Sequence, residues 1–126
     1  MKITTFNPQI IAKDAEPIVK FFEELGFEKK HAKSDFEDVN VIGYRLSNAD
    51  GFKLDISQTD NPMLPVDAMV SIRMNVDNFD ELYELLTARG FKNIYGDKPV
   101  AAASSRSAIM IAPSGFSINI AEHIKK

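Results

Sequence analysis

The chain has 126 residues and a mass of 14.1 kDa, enough for one domain with a substantial core. No cysteine is present, which excludes disulfides, thiol nucleophiles and cysteine-based metal sites. Fifteen basic and 18 acidic residues give a net charge of -3, a balance that argues against nucleic acid or an anionic membrane as partner. The N-terminus lacks the apolar run of a signal peptide and no segment has the ~20 apolar residues of a membrane span, so we expect a cytoplasmic protein.

The first half of the chain is predicted to fold in the order β-α-β-β-β. Asp14 is a candidate N-cap for a helix that tolerates Pro17 in its first turn and ends at Gly26. The apolar residues spaced for one face of this helix are Ile18, Phe21, Phe22 and Leu25. β-Branched and aromatic residues predict the strands, which are 7–12, 27–30, 41–46 and 52–57.

The second half repeats this order. Asn78 is the candidate N-cap, Glu81 follows three residues later as in a capping box, and Gly90 is the candidate stop. The apolar face of this helix consists of Leu82, Leu85 and Leu86. The predicted strands are 70–76, 91–95, 106–112 and 116–122, and the predicted long loops are 31–40 and 96–105.

Two matched pairs of glycines relate the halves. Gly26 and Gly90 are 64 residues apart, as are Gly51 and Gly115, and a phenylalanine follows each of the four. One offset shared by separate positions indicates two copies of one unit. We therefore predict a single domain whose parts are a first module at about 1–57, a linker at 58–68 and a second module at about 69–126.

The strand residues that point away from the helices are predicted to be polar, because neighbours along a strand point to opposite faces of the sheet. Two interpretations of this face are open: solvent wets it, or it lines a cleft for a small polar ligand. The candidate ligand-binding residues on it are Asn7, Gln9, Lys53, Asp55, Ser71, Arg73, Asn75 and Asn119. Arg106 is a further candidate at the rim, where its guanidinium suits a carboxylate or a phosphate.

Several short motifs occur in a fixed order over nearly the whole chain. They are Lys13-Asp14, Phe21-Phe22, Leu25-Gly26-Phe27, Val76-Asp77-Asn78-Phe79-Asp80-Glu81-Leu82, Arg89-Gly90-Phe91 and Ala112-Pro113-Ser114-Gly115-Phe116. Their order and spacing resemble the glyoxalase, bleomycin-resistance and extradiol dioxygenase superfamily, also called vicinal oxygen chelate proteins. The resemblance implies an α+β fold in which two tandem β-α-β-β-β modules form a cupped mixed β-sheet with the helices on its outer face. It also implies a homodimer and a substrate or drug site inside the cup.

Metal-dependent members of that superfamily hold the metal with side chains from the first and last strand of each module. By the resemblance, the corresponding residues here are Asn7, Asp55, Ser71 and Asn119. One carboxylate, two amides and a hydroxyl carry too little charge to hold a transition-metal ion tightly. His31 and His123 are predicted to lie in a polar loop and in the C-terminal tail, so we expect no metal and no other cofactor.

These observations favour a metal-free small-molecule binding protein of the bleomycin-resistance type, which sequesters a polar or amphipathic ligand in its cleft. We expect a homodimer with neither nucleic acid nor membrane as partner. Catalysis is the less favoured interpretation, with Asp55 as one weak candidate for a general base. The alternative is a divergent glyoxalase-like lyase or isomerase that uses a divalent metal. A third interpretation is an interaction module whose cleft has lost its function.

Overall fold

The structure is a computed structural model that describes residues 1–33, 41–59, 67–96, 99–102 and 105–123. The helices of these residues are α1 (Glu16–Glu24) and α2 (Phe79–Ala88). The strands are β1 (Ile3–Ala12), β2 (Glu28–Lys33), β3 (Val41–Ser47), β4 (Lys53–Thr59), β5 (Ala68–Val76), β6 (Lys92–Asn93), β7 (Val100–Ala102), β8 (Ser105–Ile111) and β9 (Ser117–His123). In the part of the chain that is described, neither helix has the length and apolar character needed to cross a lipid bilayer.

Within the described residues, all nine strands belong to one mixed sheet. Its order is β2-β3-β4-β1-β5-β9-β8-β6, and β7 pairs with β8 beside this path. β1 is parallel to β4, and β5 is parallel to β9. β1 and β5 run antiparallel, from Ile3 opposite Val76 to Ala12 opposite Ala68. This central pairing joins the two halves within a single chain.

The two halves match residue by residue. β8 starts and ends 64 positions after β3, and β9 starts and ends 64 positions after β4. Pro8 and Ile72, which are equivalent under the same offset, are direct partners across β1 and β5. A pseudo-twofold axis therefore passes through this pair and relates the modules. The predicted α+β fold, with two tandem β-α-β-β-β modules in one mixed sheet, is confirmed.

The helix starts are built differently in the two modules. Asn78 caps α2, because its Oδ1 accepts a hydrogen bond from the amide of Glu81 at 3.1 Å. In α1 the N-cap position is Ala15, one residue after the predicted Asp14. The amide of Ala15 donates to Oε1 of Gln58 at 3.0 Å, and Oδ1 of Asp14 accepts from the amide of Glu16 at 3.3 Å, so a side chain from β4 shares the helix start with the predicted residue.

The inward faces of the helices differ in phase from the prediction. The side chains that pack on the sheet are Ala15, Val19 and Phe22 in α1, and Phe79, Leu82 and Leu86 in α2. Phe21, Leu25 and Leu85 are about half exposed, so the prediction that they face the core is wrong. The inward residues recur every three or four positions from the helix start, which leaves these three on the flank.

The hydrophobic core consists mainly of one cluster under each helix. Under α1 the buried sheet residues are Leu46, Leu54 and Ile56, and under α2 they are Val76, Ala108, Met110 and Ile120. Ile56 and Ile120 are equivalent positions of β4 and β9, and both are fully buried. The predicted helix-facing sides of the last strands are therefore confirmed.

Some loop boundaries were wrong. β2 extends to Lys33, so His31 lies in a strand, and β7 lies inside the predicted loop 96–105. His123 is the last residue of β9, while β6 is reduced to Lys92–Asn93. The polar composition of β2 concealed its C-terminal part, and β7 has only three residues, too few for a strand pattern to stand out. Residues 34–40 of the other predicted loop and 60–66 of the predicted linker lie outside the described residues.

The matched glycines after the helices offer a test of the local packing. Gly26 and Gly90 have φ values of +101° and +91°, a region that costs a residue with a Cβ atom about 1–2 kcal/mol. A Cβ at Gly90 would lie 2.9 Å from Cγ of Pro113, whereas a Cβ at Gly26 would meet nothing within 4 Å. We expect Gly90→Ala to lower the free energy of unfolding by about 1 kcal/mol more than Gly26→Ala does. Urea unfolding of both variants measures the difference, and equal losses would contradict the close approach of Pro113.

Candidate functional site

The face of the sheet opposite the helices, called the cup below, carries polar side chains at its centre. All eight candidates predicted for this face lie on it, on β1, β4, β5 and β9. The buried ones are Gln9, Asp55, Ser71, Asn75 and Asn119. Asn7 and Arg73 are partly buried and Lys53 is exposed. The chain therefore encloses polar groups on a face that α1 and α2 do not cover.

Asp55 is the centre of a hydrogen-bonded group in the cup. Its Oδ1 accepts from Nε of Arg45 at 3.0 Å, and its Oδ2 accepts from Nδ2 of Asn7 at 3.2 Å. Arg45 lies directly opposite Asp55 on β3. The sequence prediction missed Arg45, although its place between the helix-facing Tyr44 and Leu46 was a usable signal. Both oxygens of this carboxylate are thus engaged by the protein.

Arg73 brings a second guanidinium to the same part of the cup. Its Nε donates to Oδ1 of Asn75 at 3.1 Å. Burial lowers the pKa of Arg73 from its ordinary value, the Asp55 carboxylate opposes this shift, and the nearby Arg45 adds to it. An arginine remains charged at neutral pH under such conditions. On β3, β4, β1 and β5 the charged side chains of this face are then Arg45, Lys53 and Arg73 against Asp55.

Two buried polar atoms at the centre of the cup lack a hydrogen-bond partner among the described residues. They are Oε1 of Gln9, whose residue is 0% exposed, and Oγ of Ser71, whose residue is 3% exposed. Gln9 and Ser71 lie opposite each other across β1 and β5. The other end of the Gln9 amide donates to Oγ of Ser57 at 2.7 Å, which fixes Gln9 on the cup side. A buried polar group without a partner costs about 1–3 kcal/mol, so this arrangement calls for a functional reason.

One end of the cup is apolar, which corrects the prediction that the whole face is polar. Ile11, Ile94 and Ile109 form a buried cluster there, with Met69 and Tyr95 packed against it. The amide of Ile94 donates to the carbonyl of Ile109 at 3.0 Å, which extends the pairing of β6 with β8 by one residue at the edge of the sheet. Strand alternation alone did not predict this contact, because it depends on where a distant segment folds.

The pseudo-twofold axis relates the backbones of the modules but not the chemistry of their cup residues. Arg45 of β3 corresponds to Ile109 of β8, and Gln9 of β1 corresponds to Arg73 of β5. Gln9 donates to Ser57 on the neighbouring parallel strand β4. The residue of β9 that is equivalent to Ser57 is Ala121, which offers Arg73 no polar side-chain atom. Arg73 therefore bonds along its own strand, to Asn75.

The structure does not bring Arg106 to this group. Its Nη2 lies 2.9 Å from Oδ1 of Asp80, and its guanidinium carbon lies 4.7 Å from the centre of the Phe79 ring. Both contacts are with the start of α2, on the helix side of the sheet. Arg106 therefore contacts the start of α2 and does not belong to the polar centre of the cup.

The residues at the four positions that the resemblance implies for a metal do not fit a transition-metal ion. Asp55 is the single carboxylate among them, and its oxygens already accept from Arg45 and Asn7. Two guanidinium groups nearby would repel a cation. Across the described residues, no group of three His, Cys, Asp or Glu side chains is placed to hold a metal. The donor chemistry of this cup suits an anion better than a metal ion.

An apolar groove lies on the opposite, helix side of β1 and β5. We call it the apolar seam and define it by Phe6, Pro8, Phe52, Val70, Ile72 and Phe116. Phe6 is 61% exposed and Val70 is 75% exposed, although they lie on the central strands. A cavity of about 540 Å³ opens along one side of the seam, between Phe22, Phe27, Phe52 and Val70. This cavity is mostly apolar, and its lining also includes Asn7, Gln9 and Lys53.

Comparisons with known proteins agree with this architecture. No protein-family profile matches the sequence, and no curated protein matches it either. Solved structures do match. A glyoxalase/bleomycin resistance protein/dioxygenase superfamily member from Vibrio splendidus 12B01 is 18% identical, with a TM-score of 0.58 over 96% of this chain and 99% of that one.

Two further structures show the same likeness. A variant of Streptomyces coelicolor methylmalonyl-CoA epimerase in complex with 2-nitronate-propionyl-CoA is 18% identical, with a TM-score of 0.65 over 98% of this chain and 100% of that one. A hypothetical protein from Bacillus halodurans C-125 is 14% identical, with a TM-score of 0.67 over 100% of this chain and 98% of that one. At these identities the matches establish that the chain has the fold of this superfamily.

The Asp55 group gives a test of the geometry of the cup. Asp55→Asn removes the charge that balances Arg45 and Arg73, so we expect the free energy of unfolding to fall by about 1–3 kcal/mol. This loss is smaller than that for breaking a fully buried ion pair, because Arg45 is partly exposed. Asp67→Asn is the matched control, since Asp67 is almost fully exposed and lies 3.7 Å from Lys13; its loss should stay below about 0.5 kcal/mol. Urea unfolding compares the two. Equal stabilities of both variants and the unmodified protein would contradict the ion pair.

Proposed function

We propose that this protein binds a small molecule in the cup without a metal ion and does not convert it chemically. The observation that carries the proposal is the set of buried polar side chains on a sheet face that the helices do not cover. Such groups destabilise a fold unless they are fully hydrogen-bonded, and Gln9 and Ser71 are not. Violations of this kind are typical of binding sites, where a ligand completes the hydrogen bonds.

The chemistry of Asp55 supports binding without a metal or catalysis. A metal-dependent lyase or isomerase, the alternative function, needs several free donors around the ion. A general base needs a carboxylate that is free to approach the substrate proton. Asp55 is instead held by Arg45 and Asn7, at 3.0 and 3.2 Å. A cationic, hydrogen-bonding wall without free carboxylates is suited to holding a ligand.

The structural neighbours support the coarser part of the proposal. One of them holds 2-nitronate-propionyl-CoA, and another is described as methylmalonyl-CoA epimerase in complex with methylmalonyl-CoA. A sheet of this shape therefore accommodates small-molecule ligands in those proteins. Cytoplasmic location remains a prediction from the sequence.

Metal-independent binding predicts a specific result in a thermal-shift screen. A ligand that binds only the folded state raises the melting temperature, and a concentration of 100 times Kd adds about 2.7 kcal/mol. We expect at least one compound of a metabolite panel to raise Tm equally with and without EDTA. The shift should be lost in Arg73→Gln and kept in Arg89→Gln, whose arginine is exposed at the end of α2.

Two results would contradict this proposal. A metal ion bound at one equivalent per chain, found by elemental analysis of protein purified without chelators, would support the enzyme alternative. Ligand-induced shifts that survive Arg73→Gln would place the binding site elsewhere.

We further propose that two copies of the chain associate through the apolar seam. Phe6 and Val70 are equivalent under the pseudo-twofold axis, as are Phe52 and Phe116, and all four are more than half exposed. Contiguous exposed apolar surface usually marks an interaction site, and a pseudo-symmetric patch is close to the self-complementarity that a twofold dimer requires. No charged side chain belongs to the seam as defined.

A charge placed in the seam should therefore dissociate the dimer. We expect Val70→Asp to change the sedimentation coefficient from that of a dimer to that of a monomer at micromolar concentration, because the interface would have to bury the new charge. The fold should persist, since Val70 is 75% exposed in the single chain. Thr87→Asp adds the same charge to an exposed position of α2 and should leave the dimer intact. Analytical ultracentrifugation with circular dichroism checks both variants. A Val70→Asp variant that remains dimeric would place the interface on another surface.

A further inference from the structure

Three successive residue pairs across β1 and β5 form a graded surface along the cup. Asn7 lies opposite Arg73, Gln9 opposite Ser71, and Ile11 opposite Met69. All six residues face the cup, because alternate residues of a strand share a face. Successive pairs are two residues apart, which corresponds to about 6.8 Å. The surface therefore changes from cationic through polar to apolar over about 14 Å.

The cationic end can receive an anion. Among the described residues the hydrogen bond of Arg73 uses Nε and goes to Asn75, which leaves its terminal amino groups for a ligand. A planar guanidinium binds a carboxylate through two parallel hydrogen bonds. Arg45 and Lys53 add positive charge on the same face, and Asp55 is the one acidic residue that β3, β4, β1 and β5 place there. This charge balance favours an anionic group and disfavours an ammonium group.

The middle pair requires a hydrogen-bond donor from the ligand. Oε1 of Gln9 can only accept a hydrogen bond, and Oγ of Ser71 can donate or accept. A hydroxyl group between them can donate to Gln9 and accept from Ser71, so it meets both needs at once. An amine would do this less well, since the neighbouring cationic side chains oppose its charge.

The far end suits an apolar group. Ile11 is fully buried in one cluster with Ile94 and Ile109, and the partly buried Met69 and Tyr95 pack against this cluster. A hydrocarbon or an aromatic ring would remove apolar surface from water here.

We propose that the cup binds a hydroxy acid with an apolar tail. The carboxylate pairs with Arg73, the hydroxyl lies between Gln9 and Ser71, and the tail packs against Met69 and Tyr95. The proposal rests on the binding function proposed above and names its ligand class. Arg73 supplies the positive charge for the oxygen-bearing ligand, so no metal ion takes part.

The test uses three matched probes with the full chain in EDTA. Phenyllactate has all three features, 3-phenylpropanoate lacks the hydroxyl, and phenyllactamide lacks the negative charge. Isothermal titration calorimetry should give phenyllactate an affinity at least about tenfold higher than either of the others, the effect of one lost charge-assisted or polar hydrogen bond. Equal affinities for phenyllactate and 3-phenylpropanoate would overturn the role of Gln9 and Ser71. Equal affinities for phenyllactate and phenyllactamide would overturn the role of Arg73.

Ser71→Ala separates a binding role from a structural one. It deletes a buried oxygen that has no partner, so the ligand-free variant should be more stable, with a rise in Tm of about 3 °C. The same variant should bind phenyllactate about tenfold more weakly. Unchanged affinity in Ser71→Ala would contradict the proposal.

Variants of Arg73 complete the design. Arg73→Lys keeps the charge but lacks the planar guanidinium, so it should bind phenyllactate more weakly. Arg73→Gln lacks the charge as well and should lose almost all affinity for phenyllactate. Arg89→Gln is the control and should bind normally. Failure of all three probes would overturn the ligand class. If the metabolite screen then finds another ligand whose binding depends on Arg73, the proposed binding function still holds. If the screen finds none, the binding function is wrong as well.

Discussion

The antiparallel pairing of β1 with β5 is the constraint on which both candidate surfaces depend. It joins the modules about the Pro8 and Ile72 pair and places equivalent residues side by side. The residues of these strands then alternate between two functions. Asn7, Gln9, Ser71 and Arg73 face the cup, while Phe6, Pro8, Val70 and Ile72 face the seam. A slip of one residue in either strand would exchange these sets between the two faces, so the register specifies the chemistry of both.

The cup shows how a positive charge can be built into a sheet that the superfamily resemblance associates with metals. A guanidinium is charged at all physiological pH values and cannot be removed by a chelator. It also presents two donors in one plane, a geometry that matches the two oxygens of a carboxylate. Neutral ligands with two neighbouring oxygens lack the negative charge that strengthens this pairing. Burial of this cation costs free energy, and the same desolvation lowers the pKa of Arg73. The negative charge of Asp55 offsets part of this cost. Arg45 and Asn7 hold the Asp55 carboxylate in place. The network around Asp55 thus supports the charge of Arg73.

The sequence predicted the fold well because its signals are local. The glycines at 26, 51, 90 and 115 all have positive φ, which few other residues adopt, so their spacing reported the repeat directly. Strand alternation also placed eight candidate residues on the correct face. The failures required long-range information. The phase of α1 depends on the bond between Ala15 and Gln58, and the apolar cluster of the cup depends on the pairing of Ile94 with Ile109 on β8. The face of Arg106 also required the structure, which shows that it alternates in step with Ala108 and Met110 on the helix side of β8.

The two proposed functions are compatible because they use opposite faces of the same strands. Each cup is assembled from β3, β4, β1, β5 and β9 of one chain, so a partner bound at the seam contributes no residue to it. The cups of a dimer formed at the seam would face away from each other. Ligand at Gln9 and Ser71 would nevertheless stiffen the strands whose other face carries Pro8 and Val70, since each strand is a single backbone. Coupling between ligand binding and dimer stability would therefore pass through the thickness of one sheet, without any rearrangement of the fold.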